Sequence, residues 1–283
     1  MQEINKMTMD KNETLSKIDK KFKELKINNK LALMPFVIAG DPNIETTSEI
    51  LLKLQEKGAD LIELGIPYSD PLADGPVIQL SASRALKSGT TPRKVIQLLE
   101  SLKGKLNIPI ILFTYFNPLL SFGFEEFCKI ASKAGVSGLI IPDLPLEETY
   151  KFSKIVGIYS MDLILLVAPT TPLKRMKIIS NKTKGFTYLV SVTGVTGERN
   201  EMENRVETLI TKLKEISPHP VAVGFGISSP EHVSKVSKWG ADGVIVGSAF
   251  VKRISSCNEK EVVNQLGDFC EEMRKAADLK IKI

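Results

Sequence analysis

The sequence predicts an α/β protein, a closed parallel (β/α)8 barrel preceded by an extra N-terminal helix. Three observations carry that expectation. Eight short apolar runs alternate with stretches of helical spacing along 283 residues, and strict strand-then-helix order implies right-handed parallel crossovers. Most of the runs are almost continuously apolar, as strands buried on both faces must be. The first run ends in Gly40-Asp41-Pro42, which cannot wrap a pyrophosphate as the Gly-x-Gly-x-x-Gly turn does. The competing open, doubly wound sheet usually carries that turn.

The elements follow in order. Residues 1–11 read as a flexible leader and residues 12–283 as one domain, because no linker-like stretch interrupts the alternation. Leu15, Ile18, Phe22 and Leu25 recur at helical spacing, which predicts a helix over 12–26 ahead of the first strand. Strand 1 is expected over 30–40, a helix over 46–57 stopped by Gly58, and strand 2 over 60–66. A long Pro- and Gly-rich loop follows, then two helical pieces at 77–87 and 92–103, the second opened by Thr91-Pro92 as cap and first residue. Strand 3 is expected over 108–115, a loop over 117–123 and a helix over 125–133. Strand–helix pairs then fall at 137–141 and 147–156, 162–167 and 173–181, and 185–192 and 202–216. The last pairs are 220–224 with 230–239, and 243–246 with a final helix over 260–276. Eight such units at this length fit the TIM-barrel architecture.

Composition narrows the function classes. With 43% hydrophobic and 25% charged residues the chain resembles an ordinary globular protein. The net charge of +5 comes from lysines dispersed among acids, which argues against a nucleic-acid face. Cys128, Cys257 and Cys270 show no C-x-x-C spacing and suit buried thiols in a reducing compartment. Only His219 and His232 are present, little material for a histidine metal site, so no metal is expected. No run approaches a membrane span and no signal-peptide pattern occurs, which makes the cytoplasm the expected location.

Sites in such barrels form at the C-terminal strand ends. Alternation along strand 2 puts Leu61, Glu63 and Gly65 on one face and the apolar Ile62, Leu64 and Ile66 on the other. Glu63 therefore points into the space the sheet encloses, where an ionised carboxylate is costly unless it is paired or its pKa rises. Asp74 lies eleven positions on, in the movable loop over 67–76. Two carboxyl groups in unlike environments are how acid and base roles become separated. Gly224-Phe225-Gly226-Ile227-Ser228 follows strand 7 and Gly247-Ser248 follows strand 8. Glycines there serve tight βα turns, and they also let backbone amides approach an anion, a frequent phosphate seat in this architecture. The polar stretch 193–200 reads as a second lid. Asp70 suits either a partner contact or a turn; His232 is expected to be exposed on its helix and Trp239 to pack.

The run from Glu63 to Pro76, ELGIPYSDPLADGP, closely resembles the signature of the tryptophan synthase α chain family. Pro35-Phe36 with Gly40-Asp41-Pro42, Pro142-Asp143-Leu144-Pro145, Gly194-Val195-Thr196-Gly197, the strand 7 glycine run and Gly247-Ser248-Ala249 also fall where that family has them. The resemblance implies cleavage of indole-3-glycerol phosphate to indole and glyceraldehyde 3-phosphate, with Glu63 as acid/base and Asp74 at the indole N–H. It places phosphate at Gly197, Gly224, Gly226, Gly247 and Ser248. Phe36, Tyr115 and Phe225 would face the indole, with Tyr188 and Thr196 lining the site and Thr196 holding Asp74. It further implies an α2β2 heterotetramer with a β chain that carries pyridoxal phosphate, no cofactor in this chain, and a contact near Asp70 and Asn117. Some family members carry Arg-Ala where this chain has Val192-Thr193. The competing readings are a sugar-phosphate isomerase or epimerase on the same barrel, a stand-alone indole-releasing lyase, and a module that only activates a partner.

Overall fold

The computed structural model describes residues 15–190, 199–224, 226–258 and 260–278. The leader expected at 1–11 and most of the lid expected at 193–200 fall outside them. The chain runs α1 (Lys17–Ile27), β1 (Ala32–Ile38), α2 (Ile44–Glu56), β2 (Ile62–Gly65), α3 (Pro76–Lys87), α4 (Pro92–Ser101), β3 (Ile110–Phe113), α5 (Phe116–Phe122), α6 (Phe124–Lys133) and β4 (Val136–Ile140). It continues through α7 (Thr149–Ile158), β5 (Asp162–Val167), α8 (Leu173–Lys182), β6 (Thr187–Val190), α9 (Arg199–Ile216), β7 (Val221–Gly224), α10 (Pro230–Lys238), β8 (Gly243–Val246), α11 (Ser248–Ser256) and α12 (Val262–Ala277). Strands pair in parallel in chain order, and β8 returns to β1 from Ala32↔Gly243 to Pro35↔Val246, which closes the TIM barrel.

Local chemistry explains the helix starts. Asn43 Oδ1 accepts from Thr46 N at 2.7 Å ahead of α2, and Thr91 Oγ1 accepts from Lys94 N at 3.3 Å ahead of α4. Ser16 and Asp19 form a reciprocal capping box on α1. The strands then sort their side chains by parity. Ile62, Leu64 and Ile66 join the shell between strands and helices, while Leu61 joins Phe36, Ile111, Ile140 and Ile164 inside the cylinder.

The extra helix α1 lies across the N-terminal end of the barrel. Its buried residues Ile18, Phe22 and Leu25 belong to the interior cluster, with Phe22 and Phe186 5.6 Å apart between ring centroids. Gly138 leaves room for this close approach, since a Cβ there would come within 3.0 Å of Ile18. Ser16 Oγ donates to Asp162 Oδ2 at 2.6 Å and fastens the helix to the start of β5.

Two elements depart from expectation. The loop expected over 117–123 is the short helix α5, whose Leu119 is buried and whose Phe116 packs 4.8 Å from Phe152. Its first amide donates to Asp143 Oδ1 at 2.8 Å, a partner distant in sequence. The segment after strand 8 is not only a turn but the helix α11, held by buried Ala249, Phe250, Val251 and Ile254. Several ladders are also shorter than their apolar runs, as β3 (Ile110–Phe113) is within 108–115. Apolar flanks stay buried after pairing ends.

Candidate active site

Glu63 sits on β2 between Phe36 of β1 and Ile111 of β3 in register. Only 3% of it is exposed, and its Oε2 has no hydrogen-bond partner among the described residues. Burial, with the nearby charge of Asp74 a second cause, pushes its carboxyl from 4.5 up to about 8. At neutral pH the group therefore holds a proton with little binding it in place, as a proton donor needs.

Asp74 rides the loop between β2 and α3. That loop is built from tight turns, Leu72 N to Asp70 O at 2.9 Å and Asp74 N to Pro71 O at 3.1 Å. Gln79 Nε2 donates to the Asp74 carbonyl at 2.8 Å. Burial raises the Asp74 carboxyl from 3.8 to about 6, against hydrogen bonding from Tyr115 that lowers it. The two carboxyls thus sit in unlike environments, Glu63 holding its proton to a higher pH than Asp74.

Tyr115 and Tyr188 frame the pair. Tyr115, expected to face a ring system, also holds the loop: its hydroxyl accepts from Ala73 N at 3.0 Å and hydrogen-bonds the Asp74 carboxyl. Tyr188 on β6 is buried, and desolvation followed by the charges of Glu63 and Asp74 holds its hydroxyl well above 10. It stays a neutral donor facing both acids. Gly224 makes space for that ring, since a Cβ there would stand 2.6 Å from the Tyr188 hydroxyl.

An aromatic wall runs along the neighbouring strands β1 and β3 to the loop after β2. Phe36 meets Phe113 edge-on at 5.7 Å, Phe113 meets Tyr115 at 6.1 Å, and Tyr115 meets Tyr68 at 5.4 Å. Phe113 and Tyr68 were not singled out from the sequence, although the period of two along β3 puts Phe113 on the same face as Tyr115. Phe36 also borders Gly247, at 3.5 Å from where its Cβ would be.

The residues expected to seat an anion, Gly224, Gly226, Gly247 and Ser248, lie at the ends of the last two strands and the start of α11. Strands β7 and β8 are adjacent through Ala222↔Gly243 and Val223↔Val244. Gly226 has φ +40°, a left-handed conformation that glycine adopts without a Cβ penalty. Gly247 is the N-cap and Ser248 the first residue of α11. The amides of Phe250 and Val251 donate to the Gly247 carbonyl, so those of Ser248 and Ala249 precede the intrahelical ladder, at the end where the helix dipole favours an anion. His232, expected to be exposed, is half-buried, and its Nδ1 accepts from Ser228 N at 3.3 Å, which occupies that amide. Trp239 packs on the outer core as expected.

Thr196, Gly197 and Phe225 lie outside the described residues. Asp70 and Asn117 are both exposed, on one rim: Ser69 Oγ donates to Asp70 Oδ2 at 2.9 Å and Asn117 Nδ2 to the Tyr68 hydroxyl at 3.2 Å. Leu72, 91% exposed, and Leu120 are further exposed apolar side chains of these two segments. Among the described residues no group of three or more His, Cys, Asp or Glu is placed to hold a metal, and no helix is long and apolar enough to cross a membrane.

Comparison with known proteins bears on this geometry. A family model described as tryptophan synthase alpha chain matches residues 22–278. The chain is 82% identical to the tryptophan synthase alpha chain of Prochlorococcus marinus subsp. pastoris, over 98% of this chain and all of that one. It is 60% identical to the protein of the same name from Synechococcus sp., over 93% and 98%. A crystal structure of tryptophan synthase subunit alpha from Legionella pneumophila superposes with a TM-score of 0.85 at 35% identity, covering 94% of this chain and 99% of that one.

Proposed function

The chain belongs to the tryptophan synthase alpha chain family, and from that premise we propose that Glu63 and Asp74 divide the proton transfers of its reaction. The protein is a carbon–carbon lyase that cleaves indole-3-glycerol phosphate to indole and glyceraldehyde 3-phosphate in tryptophan biosynthesis. It acts as the α subunit beside a β chain that holds the pyridoxal phosphate, and it needs no cofactor of its own.

The single observation that supports the division is the split in proton affinity, about 8 at Glu63 against about 6 at Asp74. Glu63 begins as the acid and gives its proton to C3 of the indole ring. The ring nitrogen then carries positive charge, and the Asp74 carboxylate stabilises it, or takes the N–H proton and returns it when the ring recovers its electrons. Glu63, now a carboxylate, accepts the proton of the adjacent side-chain hydroxyl. The bond between C3 and that carbon breaks, its electron pair returns to the ring, and the hydroxyl oxygen becomes the aldehyde carbonyl. One carboxyl so serves as acid and then base, with the apolar surroundings supplying the raised affinity.

Phosphate sits on the amides of Gly226, Gly247 and Ser248, with Gly224 and Gly197 beside them. Phe36, Tyr115 and Phe225 pack on the indole, and Tyr188 and Thr196 line the space between ring and loop. Asp70 and Asn117 meet the β chain in an α2β2 assembly, in the cytoplasm. Residues 12–283 form one barrel domain, a reading supported by the return of β8 to β1. The test is to mix the purified protein with indole-3-glycerol phosphate, with and without a β chain, and follow indole. Indole release that depends on Glu63 is expected; release unchanged in Glu63→Gln overturns the assignment.

A further inference from the structure

Beyond the two acids, the mouth of the barrel holds a third carboxylate that the chemistry above does not use. Asp41 follows β1, and its side chain is 0% exposed. It is fully engaged: Arg84 donates from Nε to Oδ1 at 2.8 Å and from Nη2 to Oδ2 at 2.6 Å, and Ser81 Oγ also donates to Oδ2. A bidentate guanidinium fixes direction as well as distance. Both partners lie on α3, three residues apart and so on one face of the helix. Just past the end of α3, Ser88 Oγ donates to the Gly40 carbonyl at 3.0 Å, a further tie to the same turn.

The helix held in this way is the one that carries Asp74. α3 begins at Pro76, two residues beyond Asp74, and Gln79 of its first turn holds the Asp74 carbonyl. Ile78 and Ala85 of α3 join the interior cluster, but apolar contacts leave a helix some freedom to slide or turn. The Asp41 contacts remove that freedom. Further ties come from the segment after β3, where the Tyr115 hydroxyl accepts from Ala73 N and Asn117 Nδ2 donates to the Tyr68 hydroxyl.

We propose that Asp41, with Ser81 and Arg84, forms a clasp that positions Asp74 by fixing α3 to the end of β1. Its members are positioning residues and touch no reacting atom. The inference rests on the role given to Asp74 above. Displacements near 1 Å in a reacting group cost on the order of 100-fold in rate, so loosening the clasp lowers turnover without touching the phosphate seat.

The test is a double-mutant cycle on the full chain with the β chain present. Ser81→Ala and Arg84→Lys are the gentle variants, since each leaves the buried carboxylate a partner; Asp41→Asn is the severe one. In the wild-type background each gentle variant is expected to lower kcat for indole release roughly 5- to 50-fold, with KM within about 2-fold. In an Asp74→Asn background the same changes are expected to alter kcat by less than about 2-fold, because groups that act through one another are not additive. Equal losses in both backgrounds, or an unchanged kcat with a lowered Tm, overturn the clasp and leave a merely structural contact. Wild-type turnover in Asp74→Asn alone overturns the acid–base reading and the clasp's purpose with it.

Discussion

Replacing Glu63 by Gln separates the proton from the shape of the site. The amide keeps the size and planar head of the carboxyl but cannot ionise. In the folded chain the carboxyl holds its proton up to about 8, against an ordinary value of 4.5. A group whose pKa is raised by folding contributes its full stability below the unfolded value and loses it as pH climbs to the folded one. Each pH unit inside that window costs about 1.4 kcal/mol, so at pH 7 the wild-type chain carries a penalty of about 3 kcal/mol that the Gln variant lacks. Burial of the amide adds an offset of its own, but one that does not vary with pH. The stability of the variant relative to wild type should therefore climb by roughly 1.4 kcal/mol per unit between about pH 5 and 7.5, then level off above about 8. Urea unfolding at several pH values reads this directly. The same variant should release indole about 10²–10⁴-fold more slowly and bind a phosphate ligand as before. A difference in stability that stays constant from about pH 5 to 8 would show that Glu63 ionises freely inside the barrel.

Turnover should be bell-shaped in pH. Below about 6 Asp74 becomes protonated and no longer accepts from the ring nitrogen, while above about 8 Glu63 has lost the proton it must deliver. Because each carboxyl feels the other's charge, the two limbs belong to the pair. Asp74→Asn should erase the acid limb, and a flat profile in the wild type would contradict the assignment. Gly226→Val forces a β-branched residue into φ +40° and puts a side chain in the anion's path. Calorimetry with a phosphate ligand should then show affinity at least ~10-fold weaker, about 1.4 kcal/mol; unchanged affinity removes this loop from the seat.

The barrel was legible because its signals are local and periodic. Alternation along strand 2 was enough to turn Glu63 inward, and its apolar neighbours left either a partner or a raised pKa; the structure shows the latter. Asp74 was legible as a loop carboxylate, but its environment depends on Tyr115, 41 positions away in sequence. The Asp41 clasp was invisible for the same reason: Ser81 and Arg84 read as ordinary helix residues until the chain folds back. The helices α5 and α11 were missed because tertiary packing of Phe116 and Phe250, not strong local periodicity, stabilises them. With α11 the segment after strand 8 gains a helix terminus at Gly247-Ser248 that the turn expected there lacked.

The stopper at the far end of the barrel has a consequence for the acid at its mouth. Ile18, Phe22 and Phe186 fill the lower cylinder with hydrocarbon, and Leu61 and Ile111 continue that column up to the level of Glu63. These hydrocarbon side chains offer the carboxylate no polar partner. The apolar column under Glu63 thus begins with side chains of a helix that precedes the first strand. Trimming that helix would act on the chemistry as a change of solvent would, from the opposite end of the molecule.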